Sequence, residues 1–278
     1  MTAPAAVLAL VLAMFAVGSS AFLWFAPTWG NLRHGYEAIT AASVAVFAWG
    51  AAASLTVPVS TIVDAGPADS GALARTLLYA TAALSALAAV ALLVKLPPPV
   101  GRLLGMTASV AGFAALVPLA SVRAARGGAG GVVQGLVELT AGSVLLGAIW
   151  VGMILGHWYL VERRLSNRYM VWIAWANVVA VGAGLVSVLL SARNPVPCEG
   201  LAGAEFQRCV MTFAPVLRIG SMTVILGLGV LALVALIAGF NVRLAREGGR
   251  SIQASTGMFY LAVILAPAVE FAAKVRFF

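Results

Sequence analysis

The sequence predicts an all-α polytopic integral membrane protein, a bundle of eight transmembrane helices forming a single transmembrane domain over residues 1–278. Three observations carry this. Hydrophobic residues make up 62% of the 278 positions and charged residues only 9%, whereas a soluble domain carries about 25% charged residues. Mean hydropathy is +1.03. Eight apolar runs reach the roughly 20 residues needed to cross the hydrocarbon core: 4–27, 36–58, 77–97, 101–121, 131–160, 169–191, 215–241 and 254–273. Backbone groups in lipid must pair within their own segment, so each run is expected to be helical. The short alternating segments of a transmembrane barrel are missing from the pattern.

The first run, MTAPAAVLALVLAMFAVGSSA, has the length of a signal peptide. It has no Lys or Arg in its opening segment, which the n-region of a signal needs, so it is read as a retained first helix. The second run follows the aromatic, basic junction FLWFAPTWGNLRHGYEAIT. Between the third and fourth runs, KLPPPVGR is a tight connection, with prolines that end one helix and start the next.

The fifth run ends in GMILGHWYLVERR, residues 152–164. Glu138 stands near its start. At about 100° per residue, Gly142, Gly152 and Gly156 fall within about 40° of Glu138 on the helix. GMILG is a small-xxx-small element that lets another backbone come near. That face is therefore expected to pack against a neighbouring helix and to carry Glu138 into the bundle.

The longest connection, SARNPVPCEGLAGAEFQRCVMTFAP at 191–215, holds both cysteines. Cys198 and Cys209 in a polar loop suit a disulfide in an oxidising compartment. Alone they cannot make a zinc site, and no other metal site is indicated.

With eight spans, both termini share one side with the second-to-third, fourth-to-fifth and sixth-to-seventh loops. The other side holds nine basic residues against eight, too close to decide by counting. The acidic loop residues Asp64, Asp69, Glu199 and Glu205, with both cysteines, fall on the side of the termini. This places the termini in the periplasm of a bacterial inner membrane and the more basic loops in the cytoplasm. The net charge of +8 then orients helices and meets anionic lipid, and nucleic acid is not an expected partner. The junctions after the first and fifth runs share an aromatic, basic character, as a four-plus-four parallel repeat would. Shared interfacial composition explains this equally well.

Ionisable groups inside a span are costly and are candidates for function. Glu138, Glu270, Arg218, Lys274 and Arg276 could form one charged cluster near the face that holds the termini. Glu270 precedes Lys274 by four residues, the favourable order for a helical ion pair, and follows Pro267 by three. Asn177 is expected to be an interhelical hydrogen-bond donor.

The two histidines lie on the opposite side. His34 precedes the second run and His157 ends the fifth, with Tyr36, Glu37, Trp158 and Tyr159 close in sequence. Two imidazoles at one level can ligate a haem b. His, Tyr, Glu and Trp can also line a quinone headgroup site, or simply form an interfacial belt. A self-contained di-haem b protein would need four histidines. No P-loop, CxxC, HExxH or nucleophile elbow occurs.

Three functions follow as expectations. The first is a non-catalytic membrane subunit of a respiratory or other electron-transfer complex, anchoring membrane or peripheral partner subunits and lining a quinone or haem pocket. The second is a secondary transporter or channel using Glu138, Glu270 and Arg218. The third is a membrane enzyme acting on lipid or isoprenoid.

Overall fold

The computed structural model describes residues 3–26, 32, 34–55, 69–125, 130–162, 165–194, 200, 202–212 and 220–277. Among the described residues there are nine helices and no strand. Eight are long and apolar enough to cross a membrane, and they form a helical membrane bundle. They are α1 (Ala3–Trp24), α2 (His34–Ser54), α3 (Ser70–Leu93), α4 (Pro98–Ala125), α5 (Gly131–Val161), α6 (Arg168–Ser191), α8 (Gly220–Glu247) and α9 (Ser251–Lys274). The ninth, α7 (Gly203–Thr212), is short and lies in the long connection between α6 and α8.

The helices outrun several of the apolar runs. α3 begins at Ser70 after Asp69, whose left-handed backbone (φ 81°) opens the helix. Its polar first turn carries no hydrophobic signal. α8 continues through the polar stretch NVRLARE and stops at Gly248 and Gly249, whose φ values of 68° and 57° suit glycine. α7 has a similar origin. Its sequence GAEFQRCVMT is amphipathic, with Glu205 in the first turn, where the helix dipole favours an anion. Cys209 lies on α7, while Cys198 lies outside the described residues.

The packing divides into two rings of four helices. α1 packs on α2, α2 on α3, α3 on α4, and α4 returns to α1. Likewise α5 packs on α6, α6 on α8, α8 on α9, and α9 returns to α5. The rings meet through α1 and α5, with α4 touching α5 and α9 touching α1. Each ring's first helix thus contacts both the first and last helices of the other. This contact pattern is compatible with the four-plus-four parallel repeat that the two junctions suggest.

At the centre, α1 and α5 approach backbone to backbone. A Cβ on Gly18 would lie 1.8 Å from the Ser143 carbonyl oxygen, and one on Gly147 would lie 2.2 Å from the Gly18 carbonyl carbon. Apolar burial does little to hold helices together in lipid, so close contact and interhelical hydrogen bonds carry more of the association. Around the crossing, Phe15, Phe47 and Trp150 join α1, α2 and α5, with ring centroids 4.8–5.9 Å apart. Trp150 Nε1 donates to Ser43 Oγ at 2.9 Å. Ser20 and Ser109 link α1 to α4 through their hydroxyls at 2.5 Å.

Gly147→Leu must push the two rings apart and is expected to cost about 1–3 kcal/mol or more. Gly182→Leu is the control, because a Cβ there meets nothing within 4 Å. Thermal unfolding in mild detergent checks this: the midpoint drops for Gly147→Leu and stays put for Gly182→Leu.

Candidate functional site

Two groups of polar residues sit at opposite ends of the second ring. The first lies near the chain termini. Glu138, Glu270 and Lys274 are all fully buried. Lys274 Nζ lies 3.0 Å from Glu138 Oε1 and 3.1 Å from Glu270 Oε2. It also donates to Ser187 Oγ at 2.8 Å, and that hydroxyl donates to Glu270 Oε2 at 2.9 Å. One ammonium therefore ties α5, α6 and α9 together.

The network extends beyond the residues expected from sequence. Arg123 of α4 is fully buried, with its Nε 4.0 Å from Glu138 Oε2. It donates to the Gly131 carbonyl at 3.0 Å and to Asn194 Oδ1. Asn194, just past α6, donates to Glu138 Oε2 at 3.2 Å, and its carbonyl accepts from Arg276. Arg123 also stands over the Phe277 ring, 5.3 Å from its centroid. Arg123 was missed because it follows Pro118 at the end of its apolar run and reads as a flanking charge. Only the packing of α4 on α5 turns it inward. Arg218, expected in this cluster, lies outside the described residues.

The expected glycine face of α5 is present, and it packs on α9. A Cβ on Gly142 would lie 2.6 Å from Glu270 Oε2, on Gly152 2.3 Å from the Phe259 ring, and on Gly156 2.7 Å from Thr256 Oγ1. Gly142 thus makes the space for the Glu270 carboxylate. The expectation for Asn177 is corrected. It is fully buried, yet neither side-chain amide atom has a hydrogen-bond partner among the described residues.

The second group lies at the basic end. The five residues expected around one ligand fall into two sets divided by α5. Trp158 faces α2: its ring lies 6.3 Å from that of Tyr36, and a Cβ on Gly35 would meet it at 2.6 Å. Tyr36 is buried there, and exposed His34 sits beside Glu37 at 3.9 Å. His157, one residue before Trp158, turns to α9 and shares a 3.1 Å hydrogen bond between its Nδ1 and the Tyr260 hydroxyl. No contact joins the two imidazoles among the described residues. Trp24, in the aromatic junction after the first run, is fully buried. Gly105 makes room for its indole, since a Cβ there would lie 1.9 Å from the ring.

Next to His157, a pocket of about 500 Å³ opens between the α5–α6 junction and the α8–α9 turn. Tyr159 and Leu160 line it from α5, Asn167 from the junction, and Arg250 and Gln253 from the start of α9. The Tyr159 hydroxyl donates to the Ser166 carbonyl at 2.5 Å, which folds the junction against the helix end. Gly248 allows the close fit: a Cβ there would lie 1.8 Å from Asn167 Nδ2.

Compared with known proteins, the chain matches no family model, no curated relative and no solved structure. Among the described residues, no three His, Cys, Asp or Glu side chains gather as a metal site would require. Chemically, the two ends differ. The Glu138–Lys274–Glu270 network is closed to solvent and its carboxylates are held by cations, which makes it a lock between helices. The His157–Tyr260 pair is exposed at the bundle surface and can donate and accept hydrogen bonds at the membrane boundary.

Lys274→Met leaves two buried carboxylates short of a partner and is expected to cost about 3–5 kcal/mol. Adding Glu138→Gln and Glu270→Gln restores much of that loss. Unfolding midpoints of the single and triple variants in detergent measure both effects. A triple variant as unstable as Lys274→Met would contradict the lock.

Proposed function

We propose that the protein is a membrane-embedded, non-catalytic subunit of an electron-transfer complex, with a quinone headgroup bound at the α5–α9 surface beside His157 and Tyr260. The observation that carries this is the 3.1 Å His157–Tyr260 hydrogen bond on the bundle surface. An imidazole and a phenol side by side match the carbonyl and hydroxyl oxygens of a quinone or quinol, and their exposure at the bundle surface lets an isoprenoid tail remain in the bilayer.

The quinone reading has more support than haem b, because both imidazoles would have to reach one iron and they are turned to different helices. It also has more support than a transport route through Glu138 and Glu270, which are fully enclosed. An enzyme acting on lipid or isoprenoid would need clustered acids or metal ligands. The partner subunits would be membrane or peripheral proteins carrying the redox centres.

The orientation gains support from the buried network. Of the eight basic residues on the side of the termini, Arg123, Lys274 and Arg276 are buried. That leaves five against nine on the other side. The reading with both termini periplasmic in a bacterial inner membrane follows, and a Cys198–Cys209 disulfide suits that compartment. A C-terminal reporter that is active only in the periplasm is expected to be active, and non-reducing peptide mapping is expected to find the two cysteines joined.

A short-chain naphthoquinone titrated into the purified protein is expected to quench tryptophan fluorescence saturably. His157→Ala and Tyr260→Phe should each weaken binding about fivefold to tenfold, the size of one lost hydrogen bond. His34→Ala should leave it unchanged. Equal binding in all variants, or Soret and α bands in the absorption spectrum, would turn the assignment away from a quinone at His157.

A further inference from the structure

The pocket beside His157 has a lining that the quinone reading does not use. Its polar wall is made by Arg250, Asn167 and Gln253. None of the three side chains makes a hydrogen bond or ion pair among the described residues. Arg250 and Asn167 occupy the N-cap positions of α9 and α6, yet neither side chain caps its helix. The first N–H groups of α9 turn back to carbonyls three residues earlier: Ser251 to Gly248 at 3.0 Å and Gln253 to Arg250 at 3.1 Å. The available donors are therefore a guanidinium and two amides, with no carboxylate lining the pocket.

The opposite wall is apolar. Leu160, Leu165 and Ile252 line it, and Leu160 is exposed at the bundle surface. A ligand here meets cationic and amide donors together with aliphatic side chains. Leu160 lies one turn beyond His157, and Gln253 lies two turns before Tyr260 on nearly the same face of α9. The pocket therefore lies just beyond the His157–Tyr260 pair along these helices and opens to the bundle surface at exposed Leu160. Basic pockets between transmembrane helices are suited to lipid headgroups.

We propose that this pocket is a binding site for an anionic phospholipid, with its phosphate at Arg250, Asn167 and Gln253 and its acyl chains leaving past Leu160 into the bilayer. The guanidinium supplies a charge-assisted, forked contact to phosphate oxygens. The two amides fill the remaining acceptor positions. Gly248 and Gly249 keep the turn tight enough for Asn167 and Arg250 to face the same volume. The proposal does not depend on the quinone assignment, since no residue of the phosphate wall belongs to the His157–Tyr260 pair.

The test uses the full chain in nanodiscs of equal phosphatidylglycerol and phosphatidylcholine, followed by transfer to mild detergent and native mass spectrometry. Retained phosphatidylglycerol is expected to exceed phosphatidylcholine. Arg250→Glu should cut retention about tenfold, the scale of one charge-assisted contact, and Asn167→Ala should lower it less. Lys95→Glu, a basic residue on the same face outside the pocket, should leave retention as in the unaltered protein. Arg250→Lys keeps the charge and is expected to retain lipid in part, which guards against a folding defect in Arg250→Glu. Equal retention of both lipids, or equal losses in Lys95→Glu and Arg250→Glu, would overturn the proposal. So would inorganic phosphate binding at the pocket without lipid retention. The naphthoquinone titration, run on Arg250→Glu, should be unchanged; its failure would bear on the quinone site alone.

Discussion

The contact of Gly18 with Gly147 sets the geometry on which the rest of the bundle depends. Two rings of four helices can meet along a shallow seam or through one close crossing. A backbone approach that leaves no space for a Cβ on either side fixes the second outcome. Once α1 and α5 touch in this way, α4 is brought against α5 and α9 against α1. The aromatic cluster of Phe15, Phe47 and Trp150 then fills the wider space beside the crossing. In lipid the alternative to such contact is apolar chain against apolar side chain, so the gain comes from close fit rather than escape from water.

The same crossing explains why charges can be tolerated at one end of the bundle. α4, α5, α6 and α9 converge there, and with Arg276 just past α9 they bring together two carboxylates and three cationic side chains. An isolated charge at this depth would be expensive. Lys274 between Glu138 and Glu270, with Ser187 and Asn194 adding hydrogen bonds, turns that cost into a requirement for one helix arrangement. Buried ion pairs are weak as a source of stability but strong against loss of one partner. Specificity of helix placement is the role that fits this network, and it leaves the opposite, basic end more open to ligands.

Much of this was legible in the sequence. The spans could be read because a bilayer demands long apolar helices; the boundaries slipped where polar turns extend a helix past the hydrocarbon, as at Ser70 and Glu247, and where apolar residues continue past a helix end, as after Trp24, Ser54 and Leu93. The glycine face of α5 and its carboxylate could be read from helical periodicity, and the Glu270–Lys274 pair from its spacing. Gly18 could not be distinguished from the other glycines of the chain, because its meaning lies in what crosses it. Arg123 looked like a loop charge for the same reason.

What the sequence determined by itself was the class of environment, the number of spans and which faces of α5 and α9 were small or charged. These follow from local composition and the 3.6-residue repeat, which need no partner to be read. Tertiary structure alone decided the pairing of the two rings and the neighbours of each polar side chain. One residue step along α5 sends Trp158 to α2 and His157 to α9, because neighbouring positions on a helix diverge by about 100°. Residues adjacent in the chain were therefore separated in space, while Arg250 and Asn167, more than eighty positions apart, came to line one pocket.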